Sequence, residues 1–185
     1  VGGVLQWDQE VTMPEGGTPA RAQQSSALSG TRHEILTDDA VGEALAAVDR
    51  DALPDTDRAI DREIRRAYER AERVPTDLVE ELSETTAQAH PHWKEAKEEA
   101  DFEAFAPTLR ELVRLSRERA EHIDPDADPY AVCFADYEPY LDLQTAEAVL
   151  TELRDGLVPL LDAVEDSDVE APTVFEGTYD ASTQD

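Results

Sequence analysis

Apolar residues recur along this chain at the three- and four-residue spacing of an amphipathic helix, with no strand-like alternation longer than four residues. The clearest run is DTDRAIDREIRRAYERAERV. There Ile60, Ile64, Ala67, Tyr68, Ala71 and Val74 form one stripe, and Asp, Glu and Arg alternate over the rest. Its charged face is most simply a solvated one, laced with i,i+4 ion pairs. PTDLVEELSETTAQAHPHWKEAKEEAD keeps the period through Leu78, Val79, Leu82, Thr86, Ala89, Trp93 and Ala96, with Thr76 as N-cap and a kink or break expected at Pro91. DFEAFAPTLRELVRLSRERAEHI aligns Phe102, Phe105, Leu109, Leu112, Val113 and Ser116 on one face. TAEAVLTELRDGLVPLLDAVED points Val149, Leu150, Leu153, Leu157, Leu160, Leu161 and Val164 inward and is expected to bend at Pro159.

The remaining stretches carry helix punctuation more than periodicity. In GGTPARAQQSSALSGTRHEIL, Thr18 is placed to cap and Pro19 to take the first helical position, where a missing N–H costs nothing. TDDAVGEALAAVDRD predicts a short helix entered through Thr37 or Asp38 and closed before Pro54. DPDADPYAVCFADYEPYLDLQ is the longest irregular stretch, with one helical turn expected around Tyr130 to Phe134. After Asp166 the pattern gives way to SDVEAPTVFEGTYDASTQD, rich in Pro, Gly, Ser and Asp. The pattern predicts an all-α antiparallel helical bundle over residues 1–166, then an irregular linker over 167–185.

Composition supports that class: 40% of the 185 residues are hydrophobic, enough for a core, and only 6% are aromatic. Charge changes the picture more. Acidic residues number 44 against 16 basic ones, a net charge of −28. Such a surface repels nucleic-acid phosphates and anionic lipids, so neither is expected as a partner. High net charge also opposes collapse, but here the acids sit between periodic apolar positions instead of in one tail. All the basic residues except Lys94 and Lys97 are arginine. A folded, acid-coated protein of a salt-rich, haloarchaeal type of cytoplasm fits best, because molar salt screens self-repulsion within about 3 Å. No apolar run approaches the roughly 20 residues that span a bilayer.

Candidate chemistry is sparse. Cys133 is the single cysteine, which rules out an intrachain disulfide; among apolar neighbours it reads as a packing thiol. His33 and Glu34 begin HEILT, which lacks the second histidine of a zincin HExxH. His90 and His92 are two apart, so on a helix they point away from each other beside Trp93. Glu118, Glu121 and His122 miss the Glu-x-x-His spacing of diiron bundles. No phosphate-cradling glycine loop and no GxSxG occurs. Taken alone, the residues support a helical domain without a visible active centre.

The opening stretch adds a resemblance. VGGVLQWDQEVTMPEGGTPARAQQSSALSGTRHEILTD, through Trp7, Asp8, Gln9, Glu10, Met13 and Pro14, resembles the N-terminal region of the carboxypeptidase Taq family of zinc metallocarboxypeptidases. RRAYERAERVP, HWKEAKEEADFEAFAPTLRELVRLSRE, PYAVCFADYEPYLDL and TAEAVLTELRDGLVPLL agree in order, so the resemblance covers nearly all of the chain. It implies a helical enzyme with a deep groove, often homodimeric, that removes single residues from peptide C-termini. Zinc would be held by the two histidines of an HExxH and a downstream Glu, with the motif's own Glu activating water. It also implies that Val1 is a mid-helix position, that the chain covers less than half of such an enzyme, and that the zinc ligands lie beyond Asp185. No catalytic or metal-binding residue is therefore assigned within this chain, which is expected to be inactive alone.

Two features depart from the family pattern: Tyr140, where Gly is more usual after YEP, and Pro91 within a usually continuous helix. Trp7 and Asp8 either pack structurally, with Asp8 satisfying a buried Arg or a helix N-terminus, or line the substrate groove. Tyr137 and Glu138 likewise either fix a turn or stand on a groove wall. A freestanding acidic helical interaction module without catalysis is the alternative function, and a halophilic scaffold or stress protein a more remote one.

Overall fold

The computed structural model describes residues 2–169. Eight α-helices follow one another: α1 (Gly2–Val11), α2 (Thr18–Leu36), α3 (Asp39–Ala47), α4 (Asp55–Ala71), α5 (Thr76–Glu98), α6 (Phe102–Ile123), α7 (Pro129–Tyr137) and α8 (Leu143–Glu165). Single 3-10 turns occupy Glu15–Gly17 and Arg50–Ala52, and there is no strand among the described residues. The all-α expectation holds. The chain separates into two compact units, Val1–Pro139 and Tyr140–Asp185.

In the first unit α2 lies chiefly along α5, α5 along α6, and α6 against α7. Their shared core contains Val74, Leu78, Leu115, Ala120, Ile123 and Val132, with Cys133 partly buried against it. Leu115 and Ala120 are wholly inaccessible to solvent. Gly30 sits where α2 meets α5, and any Cβ there would run into the Glu80 side chain.

Local sequence explains most helix ends. Asp38 caps α3 by accepting the Ala40 N–H at 2.8 Å. Asp128 caps α7 through Tyr130 N–H at 2.8 Å, with Pro129 in the first turn. These two signals carry α7 through nine residues, well beyond the single turn expected. Thr18 and Thr76, expected as caps, are already the first helical residues; Gly17 and Pro75 occupy the cap positions without a side-chain bond. Pro91, Pro107 and Pro159 each lie inside a helix that continues past them, so the break considered at Pro91 does not occur.

The α5–α6 hairpin turns on Ala100, the one non-glycine residue with positive φ (55°) among the described residues. Ala100 N–H donates to Lys97 O (3.3 Å) and Asp101 N–H to Ala96 O (2.8 Å), the paired bonds of a Schellman end. The Asp101 carboxylate then caps α6 through the Ala104 N–H at 3.1 Å. An alanine in the left-handed region costs roughly 1 kcal/mol that glycine does not. Ala100→Gly is therefore expected to raise stability by about 0.5–1 kcal/mol, read from urea unfolding; a loss of stability would show that the turn tolerates alanine without strain.

Three helices depart from their expected facing. On α4 the stripe is partly bare, with Ile60 and Ile64 at 52% and 42% exposure, while Asp61 is buried. Asp61 accepts Arg65 and Arg50, each at 3.0 Å. Arg65 also donates to Leu45 O, Arg66 to Ala135 O, Arg70 to Val132 O (3.0 Å) and Arg73 to Ile123 O (2.6 Å). Ala135 and Ile123 lie in the last turns of their helices, where carbonyls lack i+4 donors, and Leu45 O in the last turn of α3 also takes the Val48 N–H at 3.3 Å. Arginine, with five N–H groups, satisfies them from a neighbouring helix. The charged face of α4 is thus divided: the side carrying Asp61, Arg65, Arg66 and Arg70 packs, while Arg58, Arg62, Glu63 and Glu69 stay exposed as the solvated reading expects.

On α6 the buried line passes through Ala106, Leu115, Ala120 and Ile123, leaving Phe102, Leu109 and Val113 exposed. The helix has apolar residues on both flanks, and the core takes the flank carrying Leu115. In the second unit, the α8 residues expected to face inward are uncovered: Val149, Leu150, Leu153, Leu157, Leu160, Leu161 and Val164 are 44–63% exposed. Within the second unit no other described helix supplies an apolar surface for that stripe. Of the linker expected over 167–185, residues 170–185 lie outside the described residues.

Candidate functional site

The WDQE segment forms the middle of α1 and is tied to α2 by charge. Asp8 pairs with Arg21, whose side chain is only 9% exposed. Arg21 also donates to Leu5 O and to Gln24 Oε1 (3.2 Å). The Thr12 hydroxyl donates to Asp8, and this bond together with Arg21 holds the Asp8 carboxyl below its ordinary value of 3.8. Asp8 therefore satisfies a buried arginine, as one of the two sequence alternatives had it. Trp7 does not pack between helices. It is 58% exposed, flanked on the same side by Val4 and Val11 at 67% and 62%.

The opposite side of α1 faces a groove. Leu5, Gln6 and Gln9 line it from α1, Ser25, Leu28 and Ser29 from α2, and Leu82, Ser83, Thr86 and Ala87 from α5, around a volume of about 510 Å³. Charged residues are 32% of the chain, yet Glu10 and Arg119 are the charged ones in this lining. Ser29 and Ser83 hydroxyls bond across it at 2.9 Å. His90 stands at the same wall, its ring 5.9 Å from that of Trp93, over which Lys97 Nζ sits at 4.9 Å. Pro91 has no N–H to offer the carbonyl of Ala87 four residues earlier, so a backbone acceptor is released on this wall. Hydroxyls, amides and a freed carbonyl beside aliphatic side chains suit an extended, uncharged peptide backbone.

A second cavity of about 380 Å³ shares Ser29, Val79 and Arg119 with the first, so the two are neighbours. Its character is different. Arg32, Arg66, Arg70 and Arg119 line it around one carboxylate, Asp136, with His33 buried in its wall. Asp136 accepts Arg70 at 2.6 Å and Arg119 at 2.8 Å. Burial alone would raise its pKa, but the hydrogen bond and charge of Arg119, with the charge of Arg70, outweigh that and hold it below 3.8. The sequence reading, which took His33 as the start of an incomplete HExxH, missed this setting. The signal was faint: Arg66 and Arg70 are one turn apart on α4, but Arg32 and Arg119 come from other helices.

The remaining candidates do not converge. Tyr137 is 86% exposed and Glu138 is exposed at the α7 terminus, where its backbone N–H donates to Phe134 O at 3.0 Å; neither lines the groove. His92 and His122 are exposed, and Glu118 is held by Arg114 at 2.6 Å. Among the described residues no three His, Cys, Asp or Glu side chains stand close enough to hold a metal ion, and no helix is long and apolar enough to cross a membrane.

Comparison with known proteins gives one consistent family. The family described as carboxypeptidase Taq (M32) metallopeptidase matches residues 1–185. Thermostable carboxypeptidase 1 of Thermus thermophilus is 33% identical over 177 residues, 89% of this chain and 35% of that protein. The solved structure of Pyrococcus furiosus carboxypeptidase superposes with a TM-score of 0.73 at 31% identity, over 89% of this chain and 33% of that one. Trypanosoma cruzi metallocarboxypeptidase 1 gives 0.69 at 29% identity, over 91% and 36%. The chain thus spans about a third of the length of these relatives.

Proposed function

For a chain that belongs to the carboxypeptidase Taq metallopeptidase family, we propose the role of N-terminal helical part of a zinc-dependent metallocarboxypeptidase that releases C-terminal residues from peptides. The observation that carries this reading is the family match over the whole chain, together with a helical fold shared with carboxypeptidases three times its length.

Zinc is placed outside the described residues in this reading because no three of their His, Cys, Asp or Glu side chains stand close enough to hold a metal ion. The metal belongs to other parts of the longer enzyme. This chain's contribution is the groove. Leu5, Leu28, Val79 and Leu82 offer aliphatic contact there, and Gln6, Gln9, Ser25 and Ser83 offer hydrogen bonds to a peptide held beside the catalytic part. Asp8 and Arg21 act one step back by fixing α1, and hence that wall, on α2. The acid-coated surface suits a salt-rich cytoplasm, and homodimers fit the family reading.

The test uses the product of the whole gene and this chain side by side. The longer protein is expected to release the terminal residue from an N-blocked peptide and to lose that activity with a chelator. The 185-residue chain is expected to show no release and no stoichiometric zinc binding at nanomolar affinity by calorimetric titration. Tight one-to-one zinc binding by this chain, or a folded longer protein that leaves the blocked peptide intact, would overturn the assignment.

A second reading has one observation in its favour. The bare α8 stripe would suit an acidic helical module that docks other chains without catalysis. An inactive gene product that runs as a stable complex with another protein in size-exclusion chromatography would favour it.

A further inference from the structure

The cavity beside α7 gathers four guanidinium groups around one carboxylate in a chain whose net charge is −28. Like charges held together oppose folding unless something anionic offsets them. Part of the offset is internal. Arg66 and Arg70 donate to α7 carbonyls, and the C-terminal end of α7 carries roughly half a negative charge. Asp136 takes Arg70 and Arg119. The balance still leaves donors and charge over. Arg119 is engaged through Nη1 and Arg66 through Nη2, so each fork keeps uncommitted N–H groups. Arg32 is exposed and makes no hydrogen bond or ion pair among the described residues.

The sparsely charged groove adjoins this cavity at Ser29, Val79 and Arg119. A groove with few charges beside a cavity of uncommitted guanidinium forks matches a ligand with a neutral chain and an anionic end. Planar forks grip planar carboxylates bidentately. We infer that the arginine cavity binds a carboxylate carried by a peptide whose backbone lies in the neighbouring groove. The placement of the backbone rests on the reading of the groove as a peptide wall; the preference for a carboxylate rests on the charges alone.

The test needs neither metal nor activity, so its failure is separable from failure of the peptidase reading. The full 185-residue chain is titrated with acetyl-trialanine bearing a free carboxyl end, with the same peptide as its amide, and with acetyl-Ala-Glu-Ala amide. Binding is followed by the arginine side-chain NMR signals at the lowest salt that preserves the native circular dichroism spectrum. A carboxylate probe is expected to bind about tenfold more tightly than the uncharged amide, the size of a charge-assisted hydrogen bond. Whichever acid binds better identifies the source as a chain end or an acidic side chain.

Arg32→Gln is expected to weaken the acid about fivefold with an unchanged circular dichroism spectrum, and Arg32→Lys to restore part of the loss. Asp136→Asn, which removes the cavity's own carboxylate, is expected to tighten acid binding. Equal binding of acid and amide would overturn the inference, as would an Arg32→Gln variant that binds the acid as the parent does. Inorganic phosphate that binds the cavity more tightly than either acid would overturn the peptide assignment.

Discussion

Leu115→Ala is expected to lower the free energy of unfolding by about 3 kcal/mol, the largest effect of any single truncation in the first unit. Leu115 has no accessible surface and touches the point where α6 meets α5 and α7. Removing its isobutyl group forfeits transfer free energy and leaves a cavity that three rigid helices cannot close. Val113, two residues away on the other flank, is 45% exposed, and Val113→Ala is expected to cost no more than about 0.5 kcal/mol. The pair measures the rotation of α6 about its own axis. Urea unfolding of both variants checks it: equal losses would mean that α6 is turned toward the flank its spacing first suggested.

Removal of salt is expected to unfold the chain in part, with loss of far-UV circular dichroism that returns when molar KCl is restored. Two effects oppose each other as salt falls. Surface ion pairs such as Arg114 with Glu111 and Glu118 strengthen. Mutual repulsion among the acids strengthens as well, and it wins on numbers, because 44 carboxylates face 16 basic groups and most have no counter-charge. Between 1 M and 0.01 M salt the screening length grows from about 3 to about 30 Å, from a single side chain to the span of a small domain. A spectrum unchanged down to low millimolar salt would show that packing alone overcomes the repulsion, and the salt-adapted reading would fall.

The helices themselves were legible because their period is written in side-chain polarity. Asp38 was legible as one of two adjacent cap candidates, and the α5 residues Leu78, Ala89 and Ala96 as core, since both follow from neighbours within one turn. Facing was harder. α6 has two apolar flanks, and its own sequence does not say which will be covered. On α4 and just after it, Arg65, Arg66 and Arg73 reach backbone carbonyls at the ends of α3, α7 and α6, and carbonyls leave no mark in a sequence. α8 shows a period that is correct and a burial that is absent, because amphipathicity records what a face is suited to touch, whatever the described chain supplies.

The candidate site divides in the same way. The partnership of Asp8 with a buried arginine could be posed from sequence only as one of several roles, and the packing of α1 on α2 is what selects Arg21. The arginine cavity could not be posed. Arg32, Arg66, Arg70 and Arg119 are scattered over some ninety positions, and in a chain so rich in acids each reads as one half of a surface ion pair. Only the crossing of α2, α4 and α6 brings them together.

That cavity is furnished with arginine and contains no lysine. A guanidinium does not surrender its proton anywhere in the range where proteins stay folded, so the attraction it exerts is permanent. The cavity's one carboxylate, Asp136, can vary, and acid removes that negative charge while the four guanidinium cations stay. The pull on an anion therefore sharpens as the surroundings turn acidic, up to the point where the anion itself takes up a proton.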